Sequence, residues 1–143
     1  MVSFVAILED NRARAASMRR VLLDLLPDAN TIVFDAAASI IDWLNRYAGS
    51  TSLISLDHDL YPSHNGSDPG SGRQVAEHLA TLPCVCPVIV HTSNVEALPG
   101  MLRVLREANW TCSCVVPRED VTWVSTSWRN EVEQYLRRGL ITL

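Results

Sequence analysis

At 143 residues the chain is long enough for one real hydrophobic core and too short for two comfortable ones, so a single domain over residues 1–143 is expected. Hydrophobic residues at 48% against 20% charged exclude a disordered or fibrous protein, and a net charge of −4 argues against duplex DNA as a partner, because phosphate-backbone affinity comes from clustered Lys and Arg. No apolar run approaches the length of a membrane span, and Glu9-Asp10 interrupts the N-terminal run before it forms a signal-peptide core, so a cytoplasmic location with reduced cysteines is expected.

Residues 2–8 are rich in Val, Ile and Phe and predict a first strand that ends in Glu9-Asp10-Asn11. Asn11 can cap the helix that follows, whose apolar face runs through Ala15, Met18, Leu22, Leu25 and Leu26 until Pro27 stops it. A second strand covers 31–34. Ala37, Ile40, Ile41, Leu44 and Tyr47 then recur at helical spacing, and Gly49 closes that helix.

The central stretch is Ser52-Leu53-Ile54-Ser55-Leu56-Asp57-His58-Asp59-Leu60, a buried-strand pattern that ends in two carboxylates flanking an imidazole. Strand alternation puts Asp57 and Asp59 on one side and His58 on the other, unless the backbone turns there. The loop over 61–71 is too long and too rich in Gly, Pro and Ser for a minimal connection, and extra loop at a sheet's carboxyl edge is often functional. Within it His64 reads as ordinary, as does His78 on the next helix.

Val75, Ala76, Leu79 and Leu82 mark that third helix, ended by Pro83. Val88-Ile89-Val90 forms a fourth strand with a second polar tip, His91-Thr92-Ser93-Asn94. A fourth helix runs through Leu98, Met101, Leu102, Leu105 and Ala108. The fifth strand covers 112–116 before Pro117, and Trp128, Val132, Tyr135 and Leu136 mark a closing helix.

Five strand–helix alternations without a linker imply a parallel α/β sheet, doubly wound, with helices on both faces. If the strand order is 2-1-3-4-5, the first and third strands are neighbours, and the ligand crevice lies beyond their carboxyl ends. Glu9, Asp10 and Asp57 then face one another. Like charges that close raise each other's pKa unless a divalent cation neutralises them. An oxygen-only set suits Mg²⁺, or Mn²⁺, which recruits phosphate oxygens to complete its shell.

These tips resemble those of response-regulator receiver domains, a CheY-like, flavodoxin-like fold. Val5-Ala6-Ile7-Leu8-Glu9-Asp10-Asn11 is similar to their acidic first-strand tip, Asp57 falls where their phosphoacceptor aspartate does, and Ser93 or Thr92 falls near their fourth-strand hydroxyl. One position departs from the pattern: receivers place a lysine before a proline at the fifth strand's end, and here Val116 precedes Pro117, with Arg118 offering charge from a different backbone position. Asp57-His58-Asp59, the segment Asp68-Pro69-Gly70-Ser71-Gly72, and His91-Thr92-Ser93-Asn94 with Met101 downstream together resemble the cyclic-phosphate-processing receiver family. That resemblance implies phosphoester chemistry on a phosphoryl-containing small molecule or on a nucleotide or RNA end.

The residues permit it. Asp10 and Asp57, with Glu9, are candidate metal ligands; His58 and His91 are candidate acid and base; Thr92, Ser93 and Asn94 are candidate phosphate-binding donors. Asp57 can instead attack phosphorus itself with Asp59 as acid, as in haloacid-dehalogenase phosphatases, and residue types do not choose between these routes. Each residue also has a plain structural reading as a cap, a turn or a strand end. A stand-alone phosphoaccepting regulator would need Asp57 and Mg²⁺ but neither histidine, and a pseudo-receiver that binds a protein partner would need none of them.

Two further sets stand apart. The pairs Cys84/Cys86 and Cys112/Cys114 can converge on a metal if their segments are neighbours, although buried core thiols are the commoner outcome. Trp43, Trp110, Trp123 and Trp128 suit packing better than base stacking in an acidic chain. Trp123 and Trp128 lie near the closing helix, a partner surface in receivers, where a homodimer contact is conceivable.

Overall fold

The computed structural model describes residues 2–62 and 65–142, so His64 lies outside the described residues. Five strands, β1 (Phe4–Leu8), β2 (Asn30–Phe34), β3 (Thr51–Leu56), β4 (Val88–His91) and β5 (Cys112–Val115), form one parallel sheet in the order β2-β1-β3-β4-β5. The helices are α1 (Arg12–Leu25), α2 (Ala37–Tyr47), α3 (Gly72–Leu79), α4 (Leu98–Glu107) and α5 (Arg129–Arg137). Among the described residues no helix is long and apolar enough to cross a membrane.

Alternation along the strands divides the core into two layers. Ala6, Leu8, Ile54, Leu56, Val88 and Val90 face the layer built by α2, α3 and α4. Val5, Ile7, Leu53 and Ile89 face the layer built by α1 and α5, where Met18, Leu22, Trp123 and Trp128 are buried. The tryptophans Trp110, Trp123 and Trp128 are buried in these layers, while Trp43 is partly buried against Phe4, Phe34 and Tyr47.

Helix ends follow local chemistry. The Asn11 side chain accepts the Arg14 N–H at 3.0 Å, as a first-turn cap should. Ser71 and Gln74 form a reciprocal capping box at the start of α3. Helix α2 ends at Tyr47 and passes through a 3-10 turn, Ala48–Ser50, that contains Gly49. The pattern through Leu82 overextends α3, which stops at Leu79 and continues as turns to the proline. Helix α5 is preceded by a π-helical segment, Val124–Trp128, with both end residues buried. Such wide turns are rare and are often found near functional sites.

The pairing register positions the site. Leu8 lies beside Leu56, and Leu56 beside Val90. One residue further along each strand therefore come Glu9, Asp57 and His91, a row across the carboxyl ends of β1, β3 and β4. By alternation they continue the face that carries Ile7, Ser55 and Ile89.

Candidate functional site

All three members of that row are buried, and each places a ligand atom within 4.8 Å of the other two. Glu9 Oε2 accepts the Asn11 N–H at 3.0 Å, while Glu9 Oε1 lies 3.2 Å from His91 Nε2 and 3.9 Å from the Arg14 guanidinium. The Oε1 and Nε2 atoms are in contact but are not aligned as a hydrogen bond, so both are buried polar atoms without a bonding partner. Such atoms are rare in native interiors, and each needs a physical reason.

Electrostatics here are a contest between burial and neighbours. Burial pushes the Asp57 carboxyl up to about 6; Glu9 and Asp10 push the same way, against the charge of His91 and the His58 N–H, which donates to Asp57 Oδ1 at 2.7 Å. Burial also works to raise Glu9, yet His91, the Asn11 N–H and Arg14 outweigh it and hold that carboxyl below its usual range. The row thus carries one carboxylate that its surroundings stabilise and one that they do not.

His91 is fixed from behind. Its Nδ1 lies 2.7 Å from Ser55 Oγ, which also lies 3.2 Å from the Ile89 carbonyl and accepts the Trp128 indole N–H at 3.0 Å. Trp123 stacks on the imidazole with ring centroids 6.0 Å apart, and the Arg14 guanidinium sits 5.6 Å over the Trp123 ring. Sequence reading passed over Ser55 and assigned the two tryptophans to packing. The available signal was Ser55 itself, a polar residue inside an otherwise apolar strand and two positions before Asp57, hence on the same face.

The remaining predicted residues gather at the rim, nearer solvent. His58 points away from the row: its Nδ1 lies 2.7 Å from Asp59 Oδ1, and the Asn94 amide donates to both Asp59 oxygens at 3.3 and 3.2 Å. The His58 contact, foremost, and the Asn94 bond hold the Asp59 carboxyl below its usual range. Asn94 Oδ1 accepts the Ala97 N–H at 3.0 Å, and Thr92 Oγ1 accepts the Asn94 N–H at 3.0 Å, so Thr92 and Asn94 also shape the turn into α4. Thr92 is buried, whereas Ser93 is exposed.

Asp10 is not a member of the buried group. Its Oδ2 accepts the Tyr61 N–H at 2.6 Å, which ties the long loop to β1, and partial burial, reinforced by the Glu9 charge, raises its pKa. It lines a cleft of about 300 Å³ with Arg12, Asp35, Tyr61 and Asp68. The loop returns through a bridge between Asp59 and Ser71 and a Gly72 N–H bond to the His58 carbonyl at 3.0 Å. At Gly72 the backbone passes so close that a Cβ would sit 1.8 Å from the Asp57 carbonyl oxygen, and only glycine fits.

Two other sequence features resolve simply. Among the described residues the buried row is the sole group of three or more His, Cys, Asp or Glu with ligand atoms that close, so the four free cysteines form no comparable cluster. Val116, where receivers carry lysine, is exposed.

Solved structures with this fold include the phosphorylated cyanobacterial phytochrome response regulator RcpA, at 16% identity over 94% of each chain with a TM-score of 0.69. The Mn²⁺-bound form of response regulator Rcp1 matches at 19% identity over 99% of this chain and 96% of that one, with a TM-score of 0.67. The response regulator domain of Thermotoga maritima CheB matches at 11% identity over 98% and 97%, with a TM-score of 0.67. No curated protein matches the chain. At these identities the likeness speaks for the fold alone, but residues 5–107 match the family model described as the cyclic-phosphate processing receiver domain, well over half of the chain, and the chain belongs to that family.

Proposed function

We propose that this receiver domain is a divalent-metal-dependent phosphoesterase that opens a cyclic phosphate, with a nucleotide or RNA end as its substrate class. The observation that carries this reading is the pairing of a buried carboxylate–imidazole row across the ends of β1, β3 and β4 with a second, partly exposed imidazole just beyond β3 whose Nδ1 is held by Asp59. Glu9, Asp57 and His91 would hold the ion. Glu9 Oε1 and His91 Nε2, buried without a bonding partner and 3.2 Å apart, are atoms that such a group would satisfy. When bound, the ion supplies positive charge to the non-bridging phosphate oxygens.

The chain's own residues supply the rest. With Nδ1 engaged by Asp59, His58 has Nε2 left for proton transfer, and imidazole titrates near neutral pH, where it serves as acid or base. Opening the ring forms a new P–O bond from an attacking water, which gives up one proton to solvent, and breaks one of the ring's two phosphoester P–O bonds, whose departing oxygen takes a proton that His58 Nε2 can donate. Ser93, exposed beside Asn94, would donate to a phosphate oxygen. Arg12 and Tyr61 at the neighbouring cleft offer a cation and an aromatic face to the remainder of the substrate.

The test is a 2′,3′-cyclic nucleotide incubated with the full chain and Mn²⁺ or Mg²⁺, followed by ³¹P NMR. Ring-opened monoester is expected, and His58→Ala should slow its appearance by about 10²–10⁴-fold. Absence of turnover with both ions, together with an acyl phosphate on Asp57 after incubation with a small phosphodonor, would replace this reading with a phosphoaccepting regulator.

A further inference from the structure

The sequence suggests an oxygen-only site, yet the residue facing Glu9 and Asp57 is an imidazole with no solvent exposure. Resting on the ion site proposed above, we infer that His91 Nε2 is itself a ligand, that Ser55 and Trp128 select this nitrogen, and that the site therefore favours Mn²⁺ over Mg²⁺.

The argument begins at Ser55. Its hydroxyl has one proton and two acceptor positions, and the Trp128 indole can only donate. If the Ser55 O–H points to the Ile89 carbonyl, then Oγ accepts from Trp128 at 3.0 Å and from His91 Nδ1–H at 2.7 Å, which fills the hydroxyl's hydrogen-bonding capacity. In that tautomer Nε2 presents a lone pair. It faces Glu9 Oε1, another acceptor, at 3.2 Å. The other tautomer would aim an Nε2–H at Glu9, but the two atoms are not aligned for that bond.

A protonated His91 would simply pair with Glu9; with the imidazole neutral, Nε2 and Glu9 Oε1 are two buried acceptors that repel unless a cation lies between them, and the Asp57 carboxylate completes a three-ligand set for that cation. The spacing agrees. Ligands at about 2.1 Å from a common ion sit about 3.0 Å apart in cis octahedral geometry and about 3.4 Å apart in tetrahedral geometry, which brackets the 3.2 Å between Glu9 Oε1 and His91 Nε2. Trp123, stacked on the ring, limits its rotation. Imidazole is a poor partner for Mg²⁺, which prefers oxygen, and a good one for transition ions. A hydrogen bond on the far nitrogen is the usual way in which a protein orients a ligating histidine.

The experiment titrates Mn²⁺ and Mg²⁺ separately into the full chain, following tryptophan fluorescence, with pulsed EPR of bound Mn²⁺ to detect ¹⁴N coupling. We expect nitrogen coupling and at least about tenfold tighter binding of Mn²⁺ than of Mg²⁺. His91→Gln, which keeps an oxygen donor, should abolish the coupling and bring the two affinities together. Ser55→Ala should weaken Mn²⁺ by about 10–100-fold with little effect on Mg²⁺. Bound Mn²⁺ without nitrogen coupling, or equal affinities in the unaltered chain, would overturn the inference while leaving an ion site. Binding of neither ion to a folded chain, checked by circular dichroism, would overturn the inference and the ion site together. Nitrogen coupling without turnover of any cyclic phosphate would uphold the ligand assignment and remove only the reaction.

Discussion

His58 and His91 stand at the ends of neighbouring strands, and the fold gives them opposite surroundings. His91 closes a row with two carboxylates in a dry interior, backed by Ser55 and two tryptophans. His58 sits at the rim, paired with Asp59, whose side chain is 70% exposed. The same residue types therefore meet different physical environments. In the interior, desolvation makes a carboxylate costly and a cation welcome; at the rim, water screens the charge of Asp59.

Turnover should show the largest contrast. Asp57→Asn in the row is expected to reduce hydrolysis of a cyclic nucleotide by at least about 10³-fold, whereas Asp59→Asn at the rim, which only loosens His58, should cost about tenfold. Equal losses from the two substitutions would erase the distinction between the regions.

Stability against pH tests the dry side directly. Folding raises Asp57 from 3.8 to about 6, so in metal-free protein the native state carries a penalty that is absent below pH 3.8 and complete above pH 6. That rise corresponds to at most about 3 kcal/mol, so urea denaturation should find Asp57→Asn more stable than the unaltered chain by up to that amount at pH 7 and by almost nothing at pH 4. A pH-independent difference between the two proteins would show that burial is not what raises the carboxyl.

Packing beneath the row gives the next effect. Gly72→Ala forces a methyl group toward the Asp57 carbonyl, and moving either α3 or the strand end should cost about 1–3 kcal/mol and weaken Mn²⁺ binding. Unchanged denaturation and unchanged binding would mean that the backbone there has slack. The smallest effect belongs to the cysteines. Replacing the exposed pair Cys84 and Cys114 with serine should alter stability by no more than about 0.5 kcal/mol and leave the bound-metal content as it was. A fall in metal content would reveal a thiolate site.

What the amino-acid order alone determined was the alternation of strands and helices, the 2-1-3-4-5 sheet and the collection of Glu9, Asp57, His58 and His91 at one edge. The alternation follows from local periodicity; the strand order, and with it the meeting of those tips, came from their resemblance to receiver domains, because right-handed crossovers alone leave several orders open. The tertiary structure decided which polar residues share a partner. Asp10 and Asp57 looked equivalent as acids at strand tips, yet Asp10 is tied to the Tyr61 backbone, and the third member of the row is His91. That outcome depends on register: a shift of one residue between β3 and β4 would have placed Val90 or Thr92 beside Asp57. The partners Ser55, Trp123 and Trp128 escaped sequence reading for the same reason. A hydroxyl in a strand and an indole in a helix acquire a role only when packing across a sequence separation of 73 brings Trp128 against Ser55, a contact that neither segment's local pattern encodes.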